Sequence, residues 1–356
     1  MKPHDEAMAP FYARERVLIV EVNWLGDVLF STPALRAIRK AHPGAYIAAL
    51  VVPRCKDVLL GNNYLDEVIV LDEPGRHRGF LGKLKLVRDL RLRRFNIVYF
   101  FHRSFSRTLC CLLAGIQKRI GYYTKKRGFL LTDKIHYPEG PCHRADIYYY
   151  VIAKDKIPRQ ERYCDFFISG EDKSYVDKFL QNKGIREGRG FVVLHVGGNW
   201  DLKLWPAVYF AELIGRIREE SEVDIIISGT LTDLPRAQEV AALSKYEPVI
   251  ACGMTNIKQL GALFQKSDFV VSADSGPLHV AVAVKAKVAA LFGPTSFEQT
   301  GPLTISDDCL ILFHKDTHCV IPCYNLKCQD NVCMKALTPD FVFNEVKKQG
   351  WLLHRK

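Results

Sequence analysis

No uncharged apolar stretch in the 356-residue chain approaches the roughly 18 residues that a membrane-spanning helix needs. The opening MKPHDEAMAPFYARER likewise has no apolar run of the kind that makes a signal peptide. A spanning or exported protein is not expected, and the sequence reads as one that works in the cytoplasm. A GxGxxG turn is missing, which argues against a nicotinamide dehydrogenase, and the P-loop spacing is absent too. Seven of the eleven cysteines (Cys55, Cys110, Cys111, Cys142, Cys164, Cys252 and Cys309) are scattered without a framework, as reduced thiols of a cytosolic enzyme would be. Paired Cys-x-x-Cys motifs are also lacking. The other four, Cys319, Cys323, Cys328 and Cys333, are spaced C-x3-C-x4-C-x4-C beside His314 and His318, a pattern open to zinc, to disulfides or to a packed thiol-rich loop.

At 48% hydrophobic and 25% charged, a chain of this length can bury large cores, and two domains are expected. The net charge of +11 is one-sided. Residues 1–170 hold 29 Lys+Arg against 17 Asp+Glu, a net +12, while residues 171–356 hold 21 against 22, a net −1. Such a field favours an anionic partner: nucleic acid, an anionic membrane surface or a polyanionic substrate. A generally basic, solvated surface is the plainer alternative. From Arg76 to Arg94 eight basic residues, among them Arg76, Arg78 and Lys83, alternate with leucines and a single acid, Asp89. This basic amphipathic segment suits an anionic membrane surface, or a helix whose leucines face the core and whose charges are simply solvated.

Short β-branched runs alternate with amphipathic ones along the whole chain. Strands are expected at 17–22, 46–52, 67–71 and 96–101, with helices at 28–41, 80–93 and 105–114; a second basic cluster, Lys118-Arg119 and Lys125-Lys126-Arg127 with Tyr122 and Tyr123, then precedes an irregular stretch to about Ile168 that suits an acceptor loop. After a linker at Gly184–Gly190 the pattern restarts at 191–196 and continues through 223–228, 248–250, 268–273 and 288–292, with helices between. Strands separated by helices imply parallel, doubly wound sheets, whose ligands sit beyond the carboxyl ends of strands. Three turns stand there. VLIVEV runs into Asn23-Trp24-Leu25-Gly26-Asp27, where a carboxylate can act as a general base or cap the helix expected from Val28. HVGGNWDLKLWP carries His195, Gly197, Gly198 and Lys203. SDFVVSADSGPLHVAVAVKAKVAALFGPT is one βαβ unit whose Asp274-Ser275-Gly276 turn opens a helix at Pro277. The first amides of that helix lack intrahelical acceptors and point outward at the positive end of its dipole, so the turn is an anion site, unless Asp274 and Ser275 are only caps.

Taken in order, VLIVEVNWLGDVLFSTPALRAIRK, HVGGNWDLKLWP, SGTLTD and SADSGPLHVAVAVKAKVAALFGPT resemble the glycosyltransferase family 9 heptosyltransferases, which build the inner core of lipopolysaccharide. The resemblance spans roughly Val17 to Pro339 and implies a GT-B fold: two Rossmann-like domains facing a cleft. The expected units are an acceptor domain at 1–180, a nucleotide-sugar domain at 181–337, and a terminal helix at 338–356 packing back on the first. It also implies an inverting, metal-independent transfer from ADP-heptose to a phosphorylated, lipid-linked sugar core at the cytoplasmic face of the inner membrane. Asp27 matches the family's base, and Lys203 of K-x-W-P the lysine on the donor phosphates. Asp274, Ser275, Gly276, Pro277, Leu278 and His279 match the loop holding diphosphate and sugar, Asp233 an acid for the ribose, and Met254 an apolar contact for adenine. The anionic acceptor would meet the basic half, Arg76, Arg78 and Lys83 included; nucleic acid is not an expected partner. Trp24 stands where the family often has a small or polar residue. A nucleotide-sugar epimerase of the same fold, a transferase with another donor sugar, and a non-catalytic polyanion-binding module are the competing readings.

Overall fold

The strand-forming runs are apolar on both faces, and burial on both faces is what a parallel sheet covered by helices demands. In the computed structural model, which describes residues 15–185, 188–315, 319–323, 325 and 327–352, they pair in parallel throughout two six-stranded sheets. The first half contains β1 (Arg16–Val20), α1 (Leu25–Ala41), β2 (Tyr46–Val51), the single-turn α2 (Lys56–Leu59), β3 (Glu67–Val70), α3 (Gly79–Leu92), β4 (Ile97–Phe100), α4 (Phe105–Leu113), β5 (Lys118–Tyr122), β6 (Asp133–Ile135) and α5 (Arg144–Ala153). Its sheet order is β3-β2-β1-β4-β5-β6. Along β1, Val17 and Ile19 enter one apolar core and Leu18 and Val20 the other, all fully buried.

The second half repeats the plan: α6 (Gly170–Asn182), β7 (Phe191–His195), α7 (Ala207–Glu220), β8 (Asp224–Ser228), α8 (Leu234–Leu243), β9 (Val249–Ile250), α9 (Ile257–Lys266), β10 (Phe269–Ala273), α10 (Gly276–Ala283), β11 (Val288–Phe292), α11 (Phe297–Thr300), β12 (Cys309–Phe313), α12 (Val332–Lys335) and α13 (Pro339–Lys348). The order β12-β11-β10-β7-β8-β9 is that of the first sheet repeated. In each sheet the winding reverses beside the first strand, between β1 and β4 and between β7 and β10, where such folds form their ligand crevice.

Three local expectations are corrected, and the reading of the cysteines, left open by the sequence, is narrowed. The helix after β1 begins at Leu25 with Trp24 at its N-cap, so Asp27 lies inside the first turn and is not the cap. The stretch from the second basic cluster to Ile168 is not one irregular loop: β6 and α5 order it, and α5 packs on α1. All eleven cysteines are free thiols, and among the described residues no three His, Cys, Asp or Glu converge to hold a metal; His318 lies outside the described residues. Finally, α13 does not pack back on the first sheet over its described length. Val342, Phe343 and Val346 join the core of the second, and Arg216 and Glu220 of α7 pair with Asp340 and Lys347. The crossing is made by α6, which leaves the first half and packs on α9, with Tyr175 donating to the Met254 carbonyl at 2.5 Å and Lys266 pairing with Asp177 at 2.6 Å.

Candidate active site

The carboxyl ends of β1 and β10 carry α1 and α10, and the N-termini of these two helices meet across the cleft. They meet because both sides present glycine. A Cβ on Gly26 would stand 3.2 Å from the His279 ring, and one on Gly276 would stand 2.7 Å from the Leu25 side chain. Two positive dipole ends thus converge on one cavity of about 460 Å³. Its first wall is Trp24, Leu25, Gly26, Asp27 and Phe30; its second draws on His195, Gly197 to Trp200, Lys203, Asp233, Thr255 to Ile257, Asp274 to Pro277, His279 and Thr300.

On the second wall Asp274 is the hub. It is 5% exposed, and Lys203 Nζ approaches its Oδ2 at 2.7 Å, His279 Nε2 its Oδ1 at 3.5 Å, while Thr300 Oγ1 donates to Oδ2 at 3.4 Å. Burial alone would raise this carboxyl, but the His279 hydrogen bond and the Lys203 charge outweigh it and hold Asp274 well below the usual carboxylate range. Its permanent negative charge orients the two cationic or donor groups toward the cavity. Ser275 does cap α10, its hydroxyl accepting from the Leu278 amide at 3.3 Å. His195 is a different matter: burial takes it down to about 4, so it is neutral at pH 7, joined to Ser228 Oγ at 3.0 Å.

On the first wall Asp27 Oδ1 accepts from the Tyr148 hydroxyl at 3.1 Å. Burial, and then the Asp27 charge, push that phenol well above its usual range, so it stays a donor. Behind Asp27, the fully buried Glu21 is raised to about 8 by desolvation and accepts from Ser31 Oγ at 2.9 Å. Buried Arg107 fixes the turn before Asp27, bonding Asn23 Oδ1 at 3.0 Å and Glu73 at 2.7 Å. Phe30 lies between His279 and His143, 4.4 and 5.0 Å away by centroid, and His143 Nε2 reaches the Gly301 carbonyl at 2.9 Å, another tie between the halves.

A second cavity, of about 310 Å³, opens on the first-sheet side of Asp27; His102, Arg103, Tyr122, Tyr137, Arg144 and Tyr148 are among its lining residues. Of the residues singled out from sequence, Asp27, Lys203, Asp233, Asp274, Ser275, Gly276, Pro277 and His279 share the larger cavity. Leu278 is wholly buried in the core, and Met254 lies outside the lining with its carbonyl held by Tyr175. Asp233 accepts from the Thr230 amide and hydroxyl at 2.7 and 2.6 Å. Arg76, Arg78 and Lys83 line neither of these two cavities; Arg76 pairs with Asp89 and Lys83 with Glu73. Arg103, Arg144 and Tyr148, which do line the second, carried no motif in the sequence and are gathered only by the sheet order.

Two doubly wound sheets that face one another, with the ligand crevice of each opening on a shared cavity, are the GT-B architecture. Residues 83–328 match the model of glycosyltransferase family 9 (heptosyltransferase). The chain is 26% identical over 303 residues to lipopolysaccharide heptosyltransferase 2 of Escherichia coli, covering 81% of this chain and 86% of that protein. It is also 26% identical over 339 residues to lipooligosaccharide heptosyltransferase 2 of Campylobacter jejuni, covering 94% and 98%. The solved E. coli ADP-heptose lipopolysaccharide heptosyltransferase II superposes with a TM-score of 0.78 at 22% identity, over 95% of this chain and 98% of that one. The chain belongs to glycosyltransferase family 9 and is a glycosyltransferase.

Proposed function

We infer that the enzyme transfers a heptose from ADP-heptose to a phosphorylated, lipid-linked inner-core saccharide of lipopolysaccharide, at the cytoplasmic face of the membrane. The observation that carries this reading is the placing of Asp27 on one wall of the cavity and the Lys203-Asp274-His279 cluster on the other. The donor diphosphate lies against Lys203, His279 and the α10 N-terminus. The acceptor enters from the Arg103 and Arg144 side. Asp27 takes the proton of the acceptor hydroxyl as its oxygen attacks the anomeric carbon from the face opposite the diphosphate. The bond from that carbon to the diphosphate oxygen breaks, ADP leaves with the electron pair, and the configuration inverts. Negative charge growing on the leaving group is met by Lys203 and by dipoles already in place, which stabilise the transition state without reorganisation. Asp274 is not a phosphate ligand on this reading; it sets the positions of Lys203 and His279.

The test is Asp27→Asn. ADP affinity by calorimetry stays unchanged while transfer falls by about 10²- to 10⁴-fold, the usual worth of general-base assistance; full activity would remove Asp27 from the mechanism. Because the leaving charge is assigned to protein groups, millimolar EDTA leaves the rate within about twofold. Loss of activity restored by Mg²⁺ would move that role to a metal.

A further inference from the structure

The leucines between Arg76 and Arg94 divide into two sets. Leu86, Val87 and Leu90 of α3 enter the core, whereas Phe80 (77% exposed), Leu81 (72%), Leu84 and Leu92 (73%) face outward. The neighbouring α4 does the same without any charge on that side: Phe105, Leu112 and Leu113 are exposed at i, i+7 and i+8, one stripe of a helix. Phe129 (73% exposed), on the single turn Gly128–Leu130, lies 6.3 Å from Phe105 by ring centroid and extends the patch. Around it stand exposed Lys85, Arg88, Arg91, Arg94, Lys125 and Lys126, and between Pro74 and Thr132 the sole acid is Asp89, already paired with Arg76. Soluble monomers seldom leave such an apolar face bare.

We propose that the face formed by α3, α4 and the Gly128–Leu130 turn docks on an anionic phospholipid bilayer, with its aromatic and leucine side chains in the interface and its basic rim on the headgroups. The proposal rests on the lipid-linked acceptor of the reading above and says which surface meets the lipid. The chemistry is that of an interfacial element whose exposed aromatic and leucine side chains are interspersed on α3 with Lys85, Arg88 and Arg91 and on α4 have no charge on that side. A second copy of the chain fits poorly, because a two-fold contact would set one basic rim against another. Position argues the same way. Phe105 is two residues from Arg103, and Arg103 lies over Tyr137 at 5.1 Å where both line the cavity beside Asp27. An acceptor rising from a bilayer on this face enters that cavity directly.

The experiment is flotation of the full chain with vesicles of phosphatidylcholine alone or with about 30% phosphatidylglycerol, at low and high salt. The vesicles contain no saccharide, and ADP affinity is measured separately, so failure here and failure of the transferase reading are distinguishable. The wild type is expected to partition at least about tenfold more strongly onto the anionic vesicles, and to be released by salt. Leu81→Ser/Leu112→Ser/Phe129→Ser lowers that partitioning by about tenfold or more with melting temperature and ADP affinity unchanged, and Leu81→Ser alone lowers it in the same direction should the triple variant fold poorly. Lys85→Gln/Arg88→Gln weakens binding and flattens its salt dependence. Equal binding to neutral and anionic vesicles, wild-type binding by the serine variants, or a dimer in solution that those variants dissolve would each overturn the proposal.

Discussion

Glu21 sits one residue beyond β1 with its side chain sealed between Ser31, the Val22 amide and the Asp27 turn, while Arg107 Nη1 bonds its backbone carbonyl at 3.3 Å. Desolvation raises it from 4.5 to about 8, so at neutral pH it is held protonated. The sign follows. Its contribution to stability is complete below about pH 4.5, where both states are protonated, and is lost as pH rises through 8, where the native state must bury a charge. Glu21→Gln keeps an acceptor for Ser31 and removes that penalty. Denaturant unfolding should show a near-zero difference at pH 5 and an advantage to the variant of at least about 1 kcal/mol at pH 9; parallel pH profiles would clear Glu21 of the role. On the proposed reading Tyr148 acts on the reaction through Asp27, as a positioning residue. Tyr148→Phe removes one bond to the base, and kcat is expected to fall about 3- to 10-fold with KM for donor and ADP affinity unchanged. A loss confined to KM would make Tyr148 a binding residue instead.

Among the elements, the pair α1 and α10 decides whether the cavity has two walls. The Gly276 backbone leaves no room for a branched side chain, since Leu25 from the other half already occupies the space. Gly276→Val therefore separates the helix ends. ADP affinity should weaken by about tenfold, or about 1.4 kcal/mol, with the fold kept because the strand pairing of both sheets lies away from this contact. Unchanged affinity by calorimetry would show that the donor needs only the second wall. The elements that sequence missed share one property. β5 and β6 are short and strongly charged, and α5 (RADIYYYVIA) is apolar nearly all round, so neither shows the period that marks a half-buried strand or helix. Their order comes from pairing with β4 and packing on α1. The terminal helix was misplaced for a related reason: its apolar face was readable, but the partner was not, and α7 offers both an apolar face and the Arg216 and Glu220 charges that complement it.

Across the whole molecule, the halves are joined by α6, by His143 to Gly301, and by Lys258, whose buried ammonium donates to the Leu60 carbonyl at 2.8 Å and the Phe167 carbonyl at 2.6 Å. A ligand in the shared cavity therefore stabilises one body. On the proposed reading, ADP at about a hundred times its Kd should stabilise the full chain by about 2.7 kcal/mol, seen as a rise in melting temperature, with UDP, GDP and CMP giving less at equal concentration. An equal response to all four would place the base outside the discriminating part of the site. The charge asymmetry also becomes local at this scale: between Pro74 and Thr132 fifteen Lys and Arg stand against the single acid Asp89.

The sequence by itself determined the alternation of strands and helices, the two-sheet class, and the three turns bearing Asp27, Lys203 and Asp274 to His279, because strand runs, helix starts and glycine turns are written in neighbouring residues. It marked the family for the same reason, through short contiguous motifs. Only the tertiary structure decided that Asp27 is bonded by Tyr148 and not a cap, that Asp274 pairs with Lys203 and His279, that Arg103 and Arg144 share a cavity with Asp27 while Arg76, Arg78 and Lys83 do not, and that half of α3's apolar side chains face outward. Each of those depends on residues up to 121 positions apart, brought together by the strand order and by which helix face another element happens to cover. No local pattern of residues encodes that.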